Sequence, residues 1–271
     1  MKKIVIYKAS GGLIQMLYGL VYCIEYCINN NHVLLIDCIN HEYFSYNLSD
    51  FFIINNFNDY SENYNIIPKE LTHYKGIPID FISKNNPIYN MIGGFWYNYV
   101  NVNVILENID FDLPLKIYTG FGTKSNSMIA KYIRVKPNVI KLCKYEIQFK
   151  KTIIEPYIGI HFRNTDRKHD INKYIIPQYK DNIIYLATDD INSYKKLKLF
   201  YTNIIQYTIP IDSMGEGIHK FNTNKYEVIM NILIDLYMLL DYNCIVFIPS
   251  TLSFVSHFIQ YMKTNKLTIF E

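Results

Sequence analysis

Ile4-Val5-Ile6-Tyr7, then Leu13 to Asn29, then Val33-Leu34-Leu35-Ile36-Asp37: these three runs decide the fold class. The first and third are short, continuous apolar runs that read as strands. The middle run places Leu13, Met16, Leu17, Leu20, Val21, Ile24 and Ile28 at helical spacing, and Asn29-Asn30-Asn31 closes it. Lys8-Ala9-Ser10-Gly11-Gly12 turns the chain between strand and helix. Strand, helix and strand within one sheet require a parallel, right-handed crossover.

A second alternating block begins near Lys136. Asn138 to Gln148 reads as a helix, and Ile153 to His161 as a strand broken by Pro156. Ile183 to Ala187 is an apolar strand, Ile191 to Phe200 a lysine-rich helix, and Ile204 to Ile209 a further strand. Tyr226 to Leu240 is a strongly apolar helix, Cys244 to Ile248 a buried strand, and Thr251 to Met262 the last helix. This alternation predicts a doubly wound α/β sheet. Residues 40–135 are rich in Asn, Tyr and Phe and punctuated by Pro68, Pro78, Pro87 and Pro114; several short helices and one or two strands are expected there. The boundary falls between 135 and 150, dividing the chain into 1–140 and 141–271.

With 271 residues, 50% of them hydrophobic and 19% charged, the chain can bury two cores and is not disordered. A net charge of +3 is too mild to argue for nucleic acid. No apolar run approaches the length of a membrane span, and the first is too short for a signal peptide, so a soluble, cytoplasmic protein is the expectation. The 5 cysteines form no CxxC pair, and Cys23 and Cys27 share a helical face; buried, unreactive thiols are expected. Only Arg134, Arg163 and Arg167 are arginines among 27 basic residues, which makes each arginine worth notice.

Open α/β sheets bind ligands outside the carboxyl ends of their strands. Three such ends are polar here. His161-Phe162-Arg163-Asn164-Thr165-Asp166-Arg167 holds an arginine pair suited to phosphate oxygens, or a solvated loop of mutually paired charges. Thr188-Asp189-Asp190 follows the second strand. Ser250-Thr251 follows the third and reads first as an N-cap, with a phosphate cradle as the alternative. Asp235 lies inside the apolar run Ile232 to Met238, where a carboxylate needs a partner. A lysine or backbone N–H would serve; so would a ligand with paired N–H donors, such as guanine. Ser10-Gly11-Gly12 is a weak phosphate-turn signal, and Asp110-Phe111-Asp112 has the spacing of a metal-binding triplet but is short enough to arise by chance.

In order, these pieces resemble GDP-fucose-dependent fucosyltransferases, nearest the α-1,6 branch that includes core N-glycan and rhizobial nodulation enzymes. The likeness is carried by Gly11 to Met16 with its helix and following strand, by Tyr157 to Asp166, by Ile184 to Asp190, and by Ile234 to Leu239 with Ser250-Thr251. Gly217-Ile218-His219 fits the family's order. The resemblance implies a two-lobed GT-B-type glycosyltransferase with two Rossmann-like lobes, 1–140 on the acceptor side and 141–271 binding the donor. It implies His161 and Asp235 on guanine, and Arg163 on the diphosphate with Ser250, Thr251, Gly11 and Gly12. Asp189 and Asp190 would order the donor site or its ribose side. No metal and no cofactor are implied beyond GDP-fucose as the donor substrate, with a carbohydrate as acceptor. Asn164 stands where the branch usually has a second arginine, and Leu13-Ile14 replace a glycine–asparagine pair. The base is left to Asp166 or Asp170. A transferase for another GDP-deoxysugar and a silent GDP-sugar-binding module are the open alternatives.

Overall fold

The computed structural model describes residues 3–8, 12–31, 33–38, 44–62, 98–103, 109–110, 123–150, 155–164, 170–208, 224–251 and 253–271. The chain divides into two compact units, residues 1–136 together with Glu271, and residues 137–270.

In the first unit, β1 (Lys3–Lys8), α1 (Leu13–Asn30) and β2 (Val33–Asp37) form the expected crossover, with β1 and β2 parallel from Ile4↔Val33 to Lys8↔Asp37. Gly12 caps α1, and its N–H is held by the Gln15 side chain at 2.8 Å. The helix buries Met16, Leu17, Leu20, Val21 and Ile24, and Tyr7 of β1 donates to the Met16 carbonyl at 2.6 Å. Short strands follow: β3 (Phe52–Ile54), β4 (Tyr60–Ser61), β5 (Asn98–Asn103), β6 (Ile109–Asp110) and β7 (Ile133–Val135). The main sheet has the order β4-β2-β1-β5-β6, and β5 runs antiparallel to both its neighbours, β1 and β6, so this sheet is mixed rather than wholly parallel.

Among the described residues of the stretch 40–135 there are thus five short strands, more than the one or two expected. Two of them, β3 and β7, pair with each other through Phe52↔Val135. Strands of two to six residues carry little periodic signal, and distant partners decide them. A helix, α2 (Thr123–Tyr132), packs on α1. The contact includes a polar ladder. Tyr18 donates to Asn126 at 2.7 Å, Tyr22 meets Ser125 at 3.2 Å, and Glu25 accepts from Tyr132 and from Lys131, the latter at 3.1 Å.

The second unit carries a four-stranded, all-parallel sheet of order β10-β9-β8-β11, built from β8 (Tyr157–Phe162), β9 (Ile183–Thr188), β10 (Asn203–Ile205) and β11 (Cys244–Ile248). β8 starts just after Pro156, which has no N–H for the ladder; Ile153 and Ile154, expected to open the strand, lie outside the described residues. Helices α3 (Pro137–Lys150), α4 (Ile191–Phe200), α5 (Lys225–Leu240) and α6 (Phe254–Thr264) complete the unit. Alternation sorts the strands' side chains. Ile158, Ile160, Phe162, Ile184 and Leu186 face α4 and its Leu197. Tyr157, Gly159, His161 and Tyr185 face the other way, where the Tyr157 hydroxyl donates to Met238 of α5 at 2.6 Å.

α6 begins at Phe254 with Ser253 as N-cap, so Ser250-Thr251 precede the helix by a turn instead of opening it. All 5 cysteines are buried thiols, and burial pushes Cys27 and Cys143 up to about 12. Among the described residues, no helix is long and apolar enough to cross a membrane.

A β-carbon on Gly159 would lie 2.6 Å from Cys244 Sγ and 2.7 Å from Leu239 Cδ2. Gly159→Ala is expected to cost about 1–3 kcal/mol through overpacking, read as a lower denaturant midpoint. Unchanged stability would show that α5 can lift off the sheet at no cost.

Candidate functional site

The carboxyl ends of β8, β9 and β11 and the N-terminal turn of α6 converge through hydrogen bonds. At the end of β8, Asn164 is the tie. Its N–H donates to Asp189 Oδ1 at 2.9 Å, and its side-chain amide donates to Asp190 Oδ2 and Ser193 Oγ, each at 3.1 Å. Arg163 Nε stands 3.7 Å from Asp189 Oδ2, a half-exposed pair that orients the guanidinium more than it stabilises the fold.

Asp190 is the N-cap of α4. It accepts from the N–H groups of Asn192 and Ser193 and from the Ser193 hydroxyl. Burial pushes its carboxyl up, but the Ser193, Asn164 and backbone donors outweigh this and hold it below its usual range.

On the opposite face, His161 is half-buried and its Nδ1 lies 2.7 Å from Ser256 Oγ in α6. The same hydroxyl accepts the Ser250 N–H at 2.9 Å, so one serine fixes both the histidine and the loop after β11. Ser250 is fully buried and Thr251 exposed.

Asp235 of α5 finds its partners in hydroxyls, not in the lysine or backbone N–H that the sequence alone allowed. Tyr185 donates at 2.5 Å, and Thr208 at 3.2 Å to Oδ1 and 3.4 Å to Oδ2. Tyr185 is itself fully buried, in a row with Tyr157 (6.2 Å between rings) and Tyr207 (5.8 Å). A buried phenol needs an acceptor and a buried carboxylate needs donors, so each answers the other. Asp235 keeps some surface area as a residue, yet burial around the carboxyl pushes it up to about 7. The Tyr185 and Thr208 bonds pull it down, and the charge on Asp189 adds to the rise.

The structure thus gathers Arg163 with Asp189 and Asp190, and His161 with Ser250. Asp170 stands outside this network: it is exposed and spends its side chain on the Asn172 N–H at 3.0 Å, capping the short 3-10 turn 171–174. Gly12 lies in the first unit with its N–H already taken by Gln15. Gly11, Asp166, Asp112 and Gly217-Ile218-His219 lie outside the described residues. Among the described residues, no three His, Cys, Asp or Glu side chains cluster to hold a metal ion. Three contributors escaped the sequence reading, Tyr185, Thr208 and Ser256; Asn164 was read there as standing where a second arginine would be, and its part as a tie comes from the structure.

Known structures share this architecture. The chain matches NodZ α-1,6-fucosyltransferase soaked with GDP-fucose at a TM-score of 0.57 and 13% identity, over 96% of this chain and 92% of that one. NodZ co-crystallised with GDP gives the same values, and fucosyltransferase NodZ from Bradyrhizobium matches at 0.57 and 12% identity over the same shares. The fold is NodZ-like. It is therefore of the GT-B type, an α/β architecture. No protein-family model matches the sequence, and no curated protein does. At 13% identity the NodZ likeness fixes the fold alone, and function has to be argued from the site.

Two outcomes test this geometry. Asp190→Ala should destabilise by about 1–2 kcal/mol near neutral pH by removing a helix cap. Because the folded pKa is lowered, the difference from the parent should shrink as pH falls through it; a difference that persists in strong acid would assign the effect to packing. Asp235 has the opposite sign. Between its usual 3.8 and about 7 the folded state holds the extra proton, so stability falls as pH rises through that window. Asp235→Asn should flatten this decline in a pH series of urea midpoints, and an unaltered slope would place its source elsewhere.

Proposed function

We propose that the chain transfers fucose from GDP-fucose to a glycan hydroxyl, with inversion and without a metal ion. The observation that carries this reading is the convergence of His161, Arg163, Asp189 and Ser250 at the carboxyl ends of one parallel sheet. The NodZ-like fold, known from structures obtained with GDP and GDP-fucose, supports it. In this reading residues 141–271 bind the donor and residues 1–140 serve the acceptor.

The guanine edge carries N–H donors, and the ionised Asp235 carboxyl is the matching acceptor, with His161 as a second contact to the guanine. Arg163 takes the diphosphate, whose charge grows as the sugar–phosphate bond breaks. Ser250 and Thr251 meet the diphosphate from the loop after β11, not from a helix start. Asp189 holds Arg163 in position, and Asp190 fixes the loop through Asn164. The acceptor oxygen forms its bond to the anomeric carbon from the face opposite the departing GDP, and its proton passes to a carboxylate, with Asp166 and Asp170 the candidates.

GDP-sugar binding without turnover is the second reading. It is favoured by Asn164 serving as a structural tie where a second arginine would stand, and by Asp170 being spent on a turn.

Calorimetric titration separates these readings. GDP and GDP-fucose should bind and UDP should not. Arg163→Ala and Asp235→Ala should each weaken GDP by about tenfold or more, as expected for lost charge-assisted hydrogen bonds. Since the base needs the ionised carboxylate, GDP affinity should rise as pH climbs through about 7, and this rise should vanish in Asp235→Ala. Turnover of GDP-fucose in the presence of a chelator distinguishes enzyme from binding module. Absence of guanine-nucleotide binding would remove both readings.

A further inference from the structure

The first unit holds an open groove of about 490 Å³ lined by Ser49, Asn58, Tyr60, Ser61 and Glu62. Tyr60 and Ser61 are β4, which pairs with β2 through Leu34↔Tyr60 and Leu35↔Ser61 and stands last in the order of its sheet. The Tyr60 ring is backed by buried Phe57, the two centroids 6.3 Å apart and nearly parallel at 23°. Glu62 is aimed by Ser49, whose N–H donates to Oε1 and whose hydroxyl donates to Oε2, both at 2.9 Å.

The lining selects a ligand chemistry. Among the described residues that line the groove none is a lysine or arginine, so phosphates and carboxylates find no counter-charge in that lining. The charged member among these described residues is the Glu62 carboxylate, which only accepts. Ser49 uses one site on each oxygen of a group that can take about four hydrogen bonds. The remaining liners, two serine hydroxyls and an asparagine amide, both donate and accept. Tyr60 adds an apolar ring with a polar tip. A polyhydroxylated neutral molecule satisfies all of these at once: paired hydroxyls donate to Glu62, the same hydroxyls accept from Asn58 and the serines, and the C–H face lies on the ring.

We propose that this groove is a saccharide-binding subsite, with Glu62 as its principal acceptor and Tyr60 as its platform. Burial of Glu62 is consistent with this role: it pushes the carboxyl up against the opposing Ser49 bonds, with Asp50 raising it further and Lys136 lowering it, so the group gains from further donors. As an anchor for the glycan acceptor, the groove rests on the transferase reading above; as a saccharide site it stands without it.

Saturation-transfer NMR on the full chain tests the assignment, using a panel of neutral mono- and disaccharides, tetramethylammonium as a cation probe and inorganic phosphate as an anion probe. At least one saccharide should bind, with affinity about tenfold lower in Glu62→Gln and reduced in Tyr60→Ala, while phosphate gives no signal. Melting curves identify any variant that fails to fold, and Glu62→Gln, which keeps the shape and the Ser49 contacts within reach, carries the decision if Tyr60→Ala does. The proposal is overturned if no saccharide binds, if Glu62→Gln binds as tightly as the parent, or if only the ammonium probe binds. GDP titrated into the same samples reports separately on the transferase reading: saccharide binding without GDP binding sinks that reading and leaves the groove.

Discussion

A missing methyl group at Gly159 is the constraint on which the second unit depends. Only a bare Cα in the middle of β8 lets Leu239 of α5 and Cys244 of β11 approach the strand as they do. That approach places the α5 backbone within reach of the Tyr157 hydroxyl, and Asp235 within reach of Tyr185 on the neighbouring strand. The buried carboxylate is therefore a consequence of close helix–sheet packing. Its two hydroxyl partners compensate for taking a charge out of water only in part, which is why its proton affinity stays high.

On the edge of the same sheet, the polar groups are arranged in tiers. Asn164 and Asp190 face inward and are consumed in holding the ends of β8 and β9 and the start of α4 together. Arg163 and Asp189 form the outer tier, more exposed than Asp190. Such an order suits a binding site: the inner tier sets geometry, and the outer tier meets the ligand without rearranging the fold.

The sequence was legible where structure is local. The runs at 33–37, 183–188 and 244–248 and the helices at 13–30 and 191–200 announce themselves by continuous or periodic apolar residues, and the structure has them within a residue. Gly159 sits visibly in an apolar strand, where a glycine signals close approach. Legibility failed where pairing across the chain decides. β3 and β7 are three residues each and exist because Phe52 meets Val135; β5 enters its sheet antiparallel because it pairs with β1, which no local pattern encodes. In the site, charged residues were visible as candidates, but their division of labour was not. Asp190 and Asp170 are caps, and α6 starts at Ser253 because that hydroxyl, not those of Ser250 or Thr251, is positioned to accept a helix N–H.

The polar ladder between α1 and α2 has a consequence for how the chain is made. Its contacts join residues 103 to 108 positions apart, whereas β8, β9 and β10 of the second unit pair in chain order and only β11 returns from a distance to β8. Closing so large a loop precedes any reward from the contacts it brings together, so this seal is a late step in forming the first unit. During synthesis its first helix emerges early, and the ladder forms only once residues 125–132 leave the ribosome. The amino-terminal half is thus begun first and sealed late, and over that interval Tyr18, Tyr22 and Glu25 keep the unsealed face of the helix wettable, a built-in guard against premature association.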